Sequence, residues 1–495
     1  MTTIEELTSL RKENHILKSE LQYKELLIEK LKYQIFGPQS EKVPDIDVDQ
    51  FIFNELEVEV KNVEPEQTEL IESYERKKKG RGPKKPFPED LEREEVIIDL
   101  PEDEKHCPHD GTLLKEIGFE VFEKLKTYPA RSVVVVEKKK KYVCPCCSGH
   151  MAQAKSNSIL PRTIATPELL SFLIFSKFFQ GLPFYRLEEL YKLQSIELSR
   201  TLMASWLIRV SEMLVPIYNI LEEWAEDTGY MSIDATYVQV LKERDRAPQD
   251  KSFMWARGSP ERGIVLFDYN ISGGGEIARN LCQDFNGALQ ADAHRGYGKL
   301  DREKILLLGC MMHARRRFYK AWIEGKKKPG LAGNAVGMFK RLYRFEEAYR
   351  KQNLTNEQRF DARLNEVSPY LEKMKSWCLD KKNKVLPSST LGNAINYFIN
   401  EYEELVAFLK DGRYEIDNGW IERAIRKFAI GRNNWLFCDT VGGANASSLF
   451  YSLVITAKLN DKDPFAVMTE IFQTLPNAKS IDDYEKLARL LVKSM

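Results

Sequence analysis

A carboxylate set in the middle of an apolar strand is what most restricts the fold of this chain. In GYMSIDATYVQVLK, residues 229–242, apolar and polar residues alternate with the period of two that marks a half-buried strand, and Asp234 falls inside it. A lone carboxylate is expensive to bury, so it requires a partner or a cation. The segments that follow supply candidate neighbours. KSFMWARGS and GIVLFDYNIS read as a second and a third strand of a meander, and GGGEIARNLCQDF as a helix. GALQADAHRGYGKL reads as a fourth strand ending at Asp292, and KILLLGCMMHARRRFYKAW as a fifth strand running into a helix.

Three antiparallel strands followed by helix–strand–helix–strand is the order of a ribonuclease-H-like sheet, in which the first and fourth strands are neighbours. Asp234 and Asp292 are then expected to meet at its centre. Two converging aspartates repel unless a cation lies between them. Mg²⁺ suits the place because it is hard, prefers oxygen ligands and keeps positions open for water or phosphate. Two such ions about 4 Å apart activate an attacking oxygen and stabilise a leaving one in phosphodiester displacement. A third carboxylate has to come from a later helix. Glu422, in IDNGWIERAIR (416–426), is the candidate, with a plain ion pair to Arg426 four residues on as the alternative. Asp268 and Asp301 are read as ordinary strand-end or turn residues.

The rest of the chain reads as a multidomain α+β protein. Positions 7, 10, 14, 17, 21, 24, 28, 31 and 35 form a heptad seam with Asn14 at an a position, which points to a self-associating coiled coil, a homodimer or higher; a lone amphipathic helix is the alternative. Residues 43–75 hold eleven acidic residues against the single Lys61, and ERKKKGRGPKKPFP then reverses the sign. There Arg81, Lys84 and Lys85 resemble a minor-groove arm, or a solvated charge run. In the next module, with SVVVVEKKKKYV expected as a strand, Cys107, Cys144 and Cys147 suit Zn²⁺ with His109 or Asp110 as fourth ligand; a knuckle that has lost its metal is the other reading. FYRLEELYKLQSIELSRTLMASWL reads helix–turn–helix, with Ser199 as N-cap and Arg200 exposed on the second helix.

The expected organisation is a coiled-coil helix over 1–38, an acidic then basic linker over 39–90, a small zinc-ribbon-like β module over 91–155, and a helical DNA-binding domain over 160–225. A ribonuclease-H-like core follows in two parts, 226–325 and 413–475, around an α-helical insertion at 326–412, with a helical tail at 476–495. Net charge is zero and no apolar run reaches the roughly 20 residues that span a bilayer. The N-terminus lacks the apolar core of a signal peptide, so the expected location is cytoplasmic, with no membrane partner. Cys310 and His313 are two ligands without a site, and read as a packed cysteine beside a hydrogen-bonded histidine. His313, Arg315 and Arg316, with Arg423, Arg426 and Arg432 near Glu422, are expected to touch DNA phosphates. Trp435 and Phe437 are expected to divide between core packing and base stacking.

LQADAHRGYGKL, GCMMHARRRFYKAW, IDNGWIERAIRKFAIGRNNWLF and GGANASSLFYSLVITAKLNDKDPFAVM together resemble the transposases of the insertion sequence 66 family, the TnpC type. LKYQIFGPQSEK, CPHDGTLLKEIG…KYVCPCC and FYRLEELY…ELSRTLMASWL are similar to that family's segments as well. The resemblance implies a DDE transposase whose acidic residues are Asp234, Asp292 and Glu422, using two Mg²⁺ ions (or Mn²⁺), acting on element ends and target DNA, with small accessory proteins of the same element. The sequence departs from the family pattern at Asp110, Ala235 and His294. A metal-dependent nuclease, and a DNA-binding scaffold with a decayed core, are the alternatives.

Overall fold

The computed structural model describes residues 132–136, 141–143, 151–153, 158–161, 163–292, 297–298 and 300–493. The heptad seam, the linker with Arg81, Lys84 and Lys85, and the candidate zinc ligands Cys107, His109, Asp110, Cys144 and Cys147 lie outside them. The chain divides into two units, 1–129 and 130–495, and the described residues all belong to the second.

Val133–Val136 are exposed and in no strand. Of the strand expected through SVVVVEKKKKYV, the described part is β1 (Lys141–Val143), antiparallel to β2 (Met151–Gln153). Branched side chains favour a strand only where neighbours supply pairing and packing.

Helix α1 (Pro167–Ile174) starts at a Thr166 cap and continues as a π-turn over Phe175–Phe179. Then come α2 (Phe184–Leu193) and α3 (Arg200–Glu226). Ser199 caps α3 as its sequence suggests, its hydroxyl accepting the Leu202 amide at 3.3 Å. Met203, Trp206, Leu207, Val210, Leu214, Ile217 and Leu221 bury one face of α3 at helical spacing. That face packs on the sheet below, so residues 160–225 share one core with it rather than forming a module apart.

The sheet starts with β3 (Tyr230–Lys242), β4 (Lys251–Ser259) and β5 (Ile264–Asn270), an antiparallel meander. Helix α4 (Gly275–Leu281) leads to β6 (Gly287–Gln290) and β7 (Ile305–Leu308), both running parallel to β3. The order across the sheet is β5-β4-β3-β6-β7. Gly287, at φ +151°, lets β6 begin hard against β3, where a Cβ would collide with the Gly229 backbone. Arg257 on β4 is 2% exposed and ties the sheet to α3 through Glu222 and Glu226, with Asp268 of β5 as a further partner at 3.1 Å. Asp268 thus proves to be an ion-pair member.

Helix α5 (Met311–Glu324) opens the helical region, followed by α6 (Leu331–Lys351), α7 (Asn356–Ala362), a π-turn at Arg363–Val367, α8 (Ser368–Lys382), α9 (Thr390–Asn400) and α10 (Tyr402–Val406). These helices bury a second core around Phe318, Phe339, Leu371 and Phe398, which meets the sheet at Tyr230, Ala288 and Leu308. Inside it Glu346, 1% exposed, accepts from both Arg359 and Arg363.

The chain then returns to the sheet. Helix α11 (Gly419–Trp435) crosses β3, and β8 (Cys438–Thr440) pairs in parallel with the far end of β3. Helices α12 (Val441–Leu459), α13 (Pro464–Thr474) and α14 (Ile481–Arg489) complete a mixed α/β fold built on a mixed sheet.

Helix α12 is buried on nearly every side, and its polar residues serve β5. Ser452 Oγ accepts the Phe267 amide at 2.7 Å, Thr456 Oγ1 accepts the Val265 amide at 3.1 Å, and Asn460 Nδ2 donates to the Gly263 carbonyl at 3.1 Å. Four residues of helix rise about 6 Å and two residues of strand about 6.7 Å, so every fourth helical residue meets every second residue of the strand. The edge of β5 is thereby satisfied without another strand.

Candidate active site

Parallel pairing sets Ser232 of β3 opposite Gln290 of β6. Two residues beyond that pair stand Asp234, still within β3, and Asp292, near enough for its charge to act on Asp234. Strand β6 ends at Gln290, and Asp292 lies just beyond it rather than at its last residue. Asp234 Oδ1 accepts the amide of Ala235 at 2.7 Å.

The third carboxylate arrives along residues 415–418, which are stitched to both aspartate-bearing strands. The Glu415 amide donates to the Tyr230 hydroxyl at 3.0 Å, and Gln290 Nε2 donates to the Glu415 carbonyl at 2.8 Å. Tyr230 in turn donates to Gln290 Oε1 at 2.7 Å. Asn418, fully buried at the N-cap of α11, donates from Nδ2 to the Ile233 carbonyl at 2.9 Å, one residue before Asp234. Glu422 follows one turn later, near enough for the Asp234 charge to act on it.

The insertion holds the other side of the same segment. Arg359 and Arg350 pair with the Glu415 carboxylate at 2.9 and 3.0 Å, and the Tyr343 hydroxyl donates to Asp417 at 2.8 Å. Met311 of α5 donates its amide to the Ile416 carbonyl at 3.2 Å. None of these ties was read from the sequence. Tyr230 and Gln290, polar groups inside strands, and Asn418, a cap residue next to an apolar run, were the signals available.

Burial pushes the Asp234 carboxyl up to about 6, with the neighbouring Asp292 charge raising it further against the Ala235 amide and Arg316. Burial likewise raises Glu422 to about 7; Arg316 and Arg426 oppose the rise, while Asp234 and Asp417 add to it. Each group disfavours its own charge, the condition a bound cation would relieve. Glu422 Oε1 is buried with no hydrogen-bond partner. A hard divalent ion, which prefers oxygen ligands, is the kind of cation that would relieve that cost.

Among the described residues, the basic groups within 4 Å of Glu422 are His313 at 3.7 Å and Arg316 at 3.8 Å. The pair with Arg426 that helical spacing suggested is not made. Arg316 and Arg426 are exposed near Glu422, Arg423 is exposed on α11, and Arg200 is exposed at the head of α3. Arg315 is half-buried, its guanidinium 5.7 Å from the Tyr343 ring centre.

Two expected phosphate contacts are otherwise engaged. His313 turns its Nδ1 inward to Glu422 instead of outward, and that nitrogen has no hydrogen-bond partner. Burial, then Arg316, lower its pKa. Arg432 is buried, donates to Thr236 Oγ1 at 3.0 Å and to the Tyr237 carbonyl, and lies 3.9 Å over the Tyr237 ring. Its charge anchors α11 to β3. Trp435 packs edge-on to Phe428, whereas Phe437 is exposed.

Comparison with known proteins gives the chain a family. One family model, described as Transposase IS66 family, matches residues 162–446. A second, Transposase C of IS166 homeodomain, matches 25–96, and a third, zinc-finger binding domain of transposase IS66, matches 104–148. The chain is also similar to uncharacterized proteins of Sinorhizobium fredii. The protein y4hP is 26% identical across 94% of this chain and 87% of its own length. The protein y4jD is 28% identical across 79% of this chain and 78% of its own length.

Proposed function

Because this chain belongs to the transposase IS66 family, we propose that it cuts DNA at the ends of its element and joins the freed 3′-hydroxyl to target DNA, with Asp234, Asp292 and Glu422 as the acidic trio. The observation that supports the reading is the stitching of residues 415–418 to β3 and β6, which starts the helix of Glu422, about 130 positions beyond Asp292, beside the strand of Asp234. The strand order, with the fourth strand beside the first, supports a ribonuclease-H-like core.

Two divalent ions, Mg²⁺ or Mn²⁺, held by these carboxylates would supply the Lewis acidity that activates an attacking oxygen and stabilises a leaving one. The chain's own groups do the rest. Asn418 fixes the start of α11, so Glu422 keeps one direction. Arg316, Arg423 and Arg426, exposed on α5 and α11, neutralise phosphates and set the register of the DNA. Tyr343, Arg350 and Arg359 make the insertion a brace for the same turn.

Further parts of the proposal concern residues outside the described structure. Cys107, Cys144 and Cys147, with His109 or Asp110, would hold Zn²⁺. Residues 7–35 would pair two copies, as a complex of two DNA ends requires. No helix of the described residues is long and apolar enough to cross a membrane, and a cytoplasmic location suits a DNA substrate.

The test is strand transfer of pre-cut element ends into a plasmid with Mg²⁺, using Asp234→Ala, Asp292→Ala and Glu422→Ala singly. Each variant should lose transfer by at least about a hundredfold. Activity retained in any one removes that residue from the trio. Cleavage without joining would assign a nuclease, and DNA binding without either reaction a decayed scaffold.

A further inference from the structure

Cys310 and His313 gain a third neighbour in the fold. One ligand atom each from Cys310, His313 and Glu422 lies within 4.8 Å of the other two, where α5 and α11 begin. His313 Nδ1 and Glu422 Oε1 face each other at 3.7 Å, and both are buried without a hydrogen-bond partner. Cys310 is fully buried, and its sulfur accepts the Asn418 amide at 3.3 Å. Orphaned buried polar atoms are rare and costly, and here two of them converge beside a sulfur.

Sulfur, nitrogen and oxygen together differ in kind from the all-oxygen set that suits Mg²⁺. Such a mixture selects a softer ion, zinc above all. Zn–S bonds near 2.3 Å and Zn–N or Zn–O bonds near 2.1 Å put donor atoms roughly 3.5 Å apart, so side-chain rotations of about 1 Å would close the site.

We propose that Cys310, His313 and Glu422 form a zinc-class metal site that competes with the acidic trio for Glu422. On binding, the Cys310 thiol gives its proton to water and the thiolate takes the metal. Three protein donors leave one position for water or a DNA phosphate oxygen. Glu422, held by an ion beside sulfur and nitrogen, is withdrawn from Asp234 and Asp292, and zinc becomes an off-switch for the Mg²⁺ reaction. That consequence rests on the proposed role of Glu422; binding itself does not.

The full-length protein is stripped of metal, reloaded with Zn²⁺, washed and assayed for zinc per chain. Wild type should hold one ion more than Cys310→Ser, since any zinc in the 104–148 module is common to both. With Co²⁺ in place of zinc, wild type minus variant should leave a thiolate-to-metal absorption band. In Mg²⁺ alone Cys310→Ser should transfer strands like wild type, yet need at least about tenfold more added zinc for half-inhibition. Should the serine variant fail to fold, His313→Gln reads the same lost ion. Equal zinc content and identical cobalt spectra would overturn the site. Strand transfer absent in wild type would instead sink the transposase reading, and the zinc count would still decide this one.

Discussion

Replacing Glu422 by Gln should stabilise the metal-free protein at pH 8. The fold moves this carboxyl from 4.5 to about 7, chiefly by burial. Ionising it therefore costs the folded state up to roughly 3 kcal/mol, at about 1.4 kcal/mol for each tenfold change. Its side chain is 18% exposed, and solvent screens part of that cost, so a working figure is about 2 kcal/mol. The direction follows from proton counting. Between pH 4.5 and 7 the folded state holds this proton more tightly than the unfolded chain, so stability falls as pH rises through that window and stays lower above it. Gln is neutral throughout, nearly isosteric, and offers an amide to the orphaned His313 Nδ1. Urea melts in chelator should therefore coincide at pH 4.5 or below and separate at pH 8, with the variant higher. Added Mg²⁺ should raise the wild-type midpoint at pH 8 by mass action and leave the variant unmoved. A variant that melts below wild type at pH 8 without metal would refute the reasoning, because it would mean that Arg316 or Arg426 already stabilises the ionised carboxylate.

Asn418→Ala leaves the Ile233 carbonyl unpaired and should cost about 1–3 kcal/mol in urea unfolding, with a weaker apparent affinity for Mg²⁺ in strand transfer. Arg426→Ala should reduce the salt dependence of DNA binding by about one counterion at unchanged stability, whereas Arg432→Ala should lower stability by about 1–3 kcal/mol and leave the salt slope alone. Leu436 is 64% exposed at φ +67° and ψ −50°, with the Phe437 amide bonded back to the Trp435 carbonyl at 2.9 Å, a strained γ-turn. Leu436→Gly should raise the thermal midpoint, gaining about 1 kcal/mol.

The sheet and its carboxylates could be read from the sequence because they depend on local alternation. Asp234 interrupts a strand of period two, and the order of segments makes its strand the neighbour of the one before Asp292. Ser199 was equally legible, since a cap acts within a single turn. Charge was harder. Arg432 and Arg426 look alike in RAIRKFAIGR, yet six residues on a helix turn the one into β3 and leave the other in solvent. Helix α3 shows an apolar stripe in its sequence, but a stripe does not say what it packs against, and here it is α12 and α14 as well as the sheet. The brace on residues 415–417 joins Tyr343, Arg350 and Arg359 to positions more than fifty residues away, and no local pattern carries such pairings.

The match between α12 and β5 works like a vernier, two scales of slightly different pitch. Each step of the helix falls behind the strand by somewhat less than 1 Å, an error that side chains absorb for a few marks only. Asn460, Thr456 and Ser452 stay in step with Gly263, Val265 and Phe267. At the next mark, Ser448 turns its hydroxyl to Asn445 of its own helix at 2.7 Å and no longer reaches the strand. A straight helix can therefore hem only a short border, and any lengthening of β5 past its present end would expose raw edge unless the helix bent to follow it.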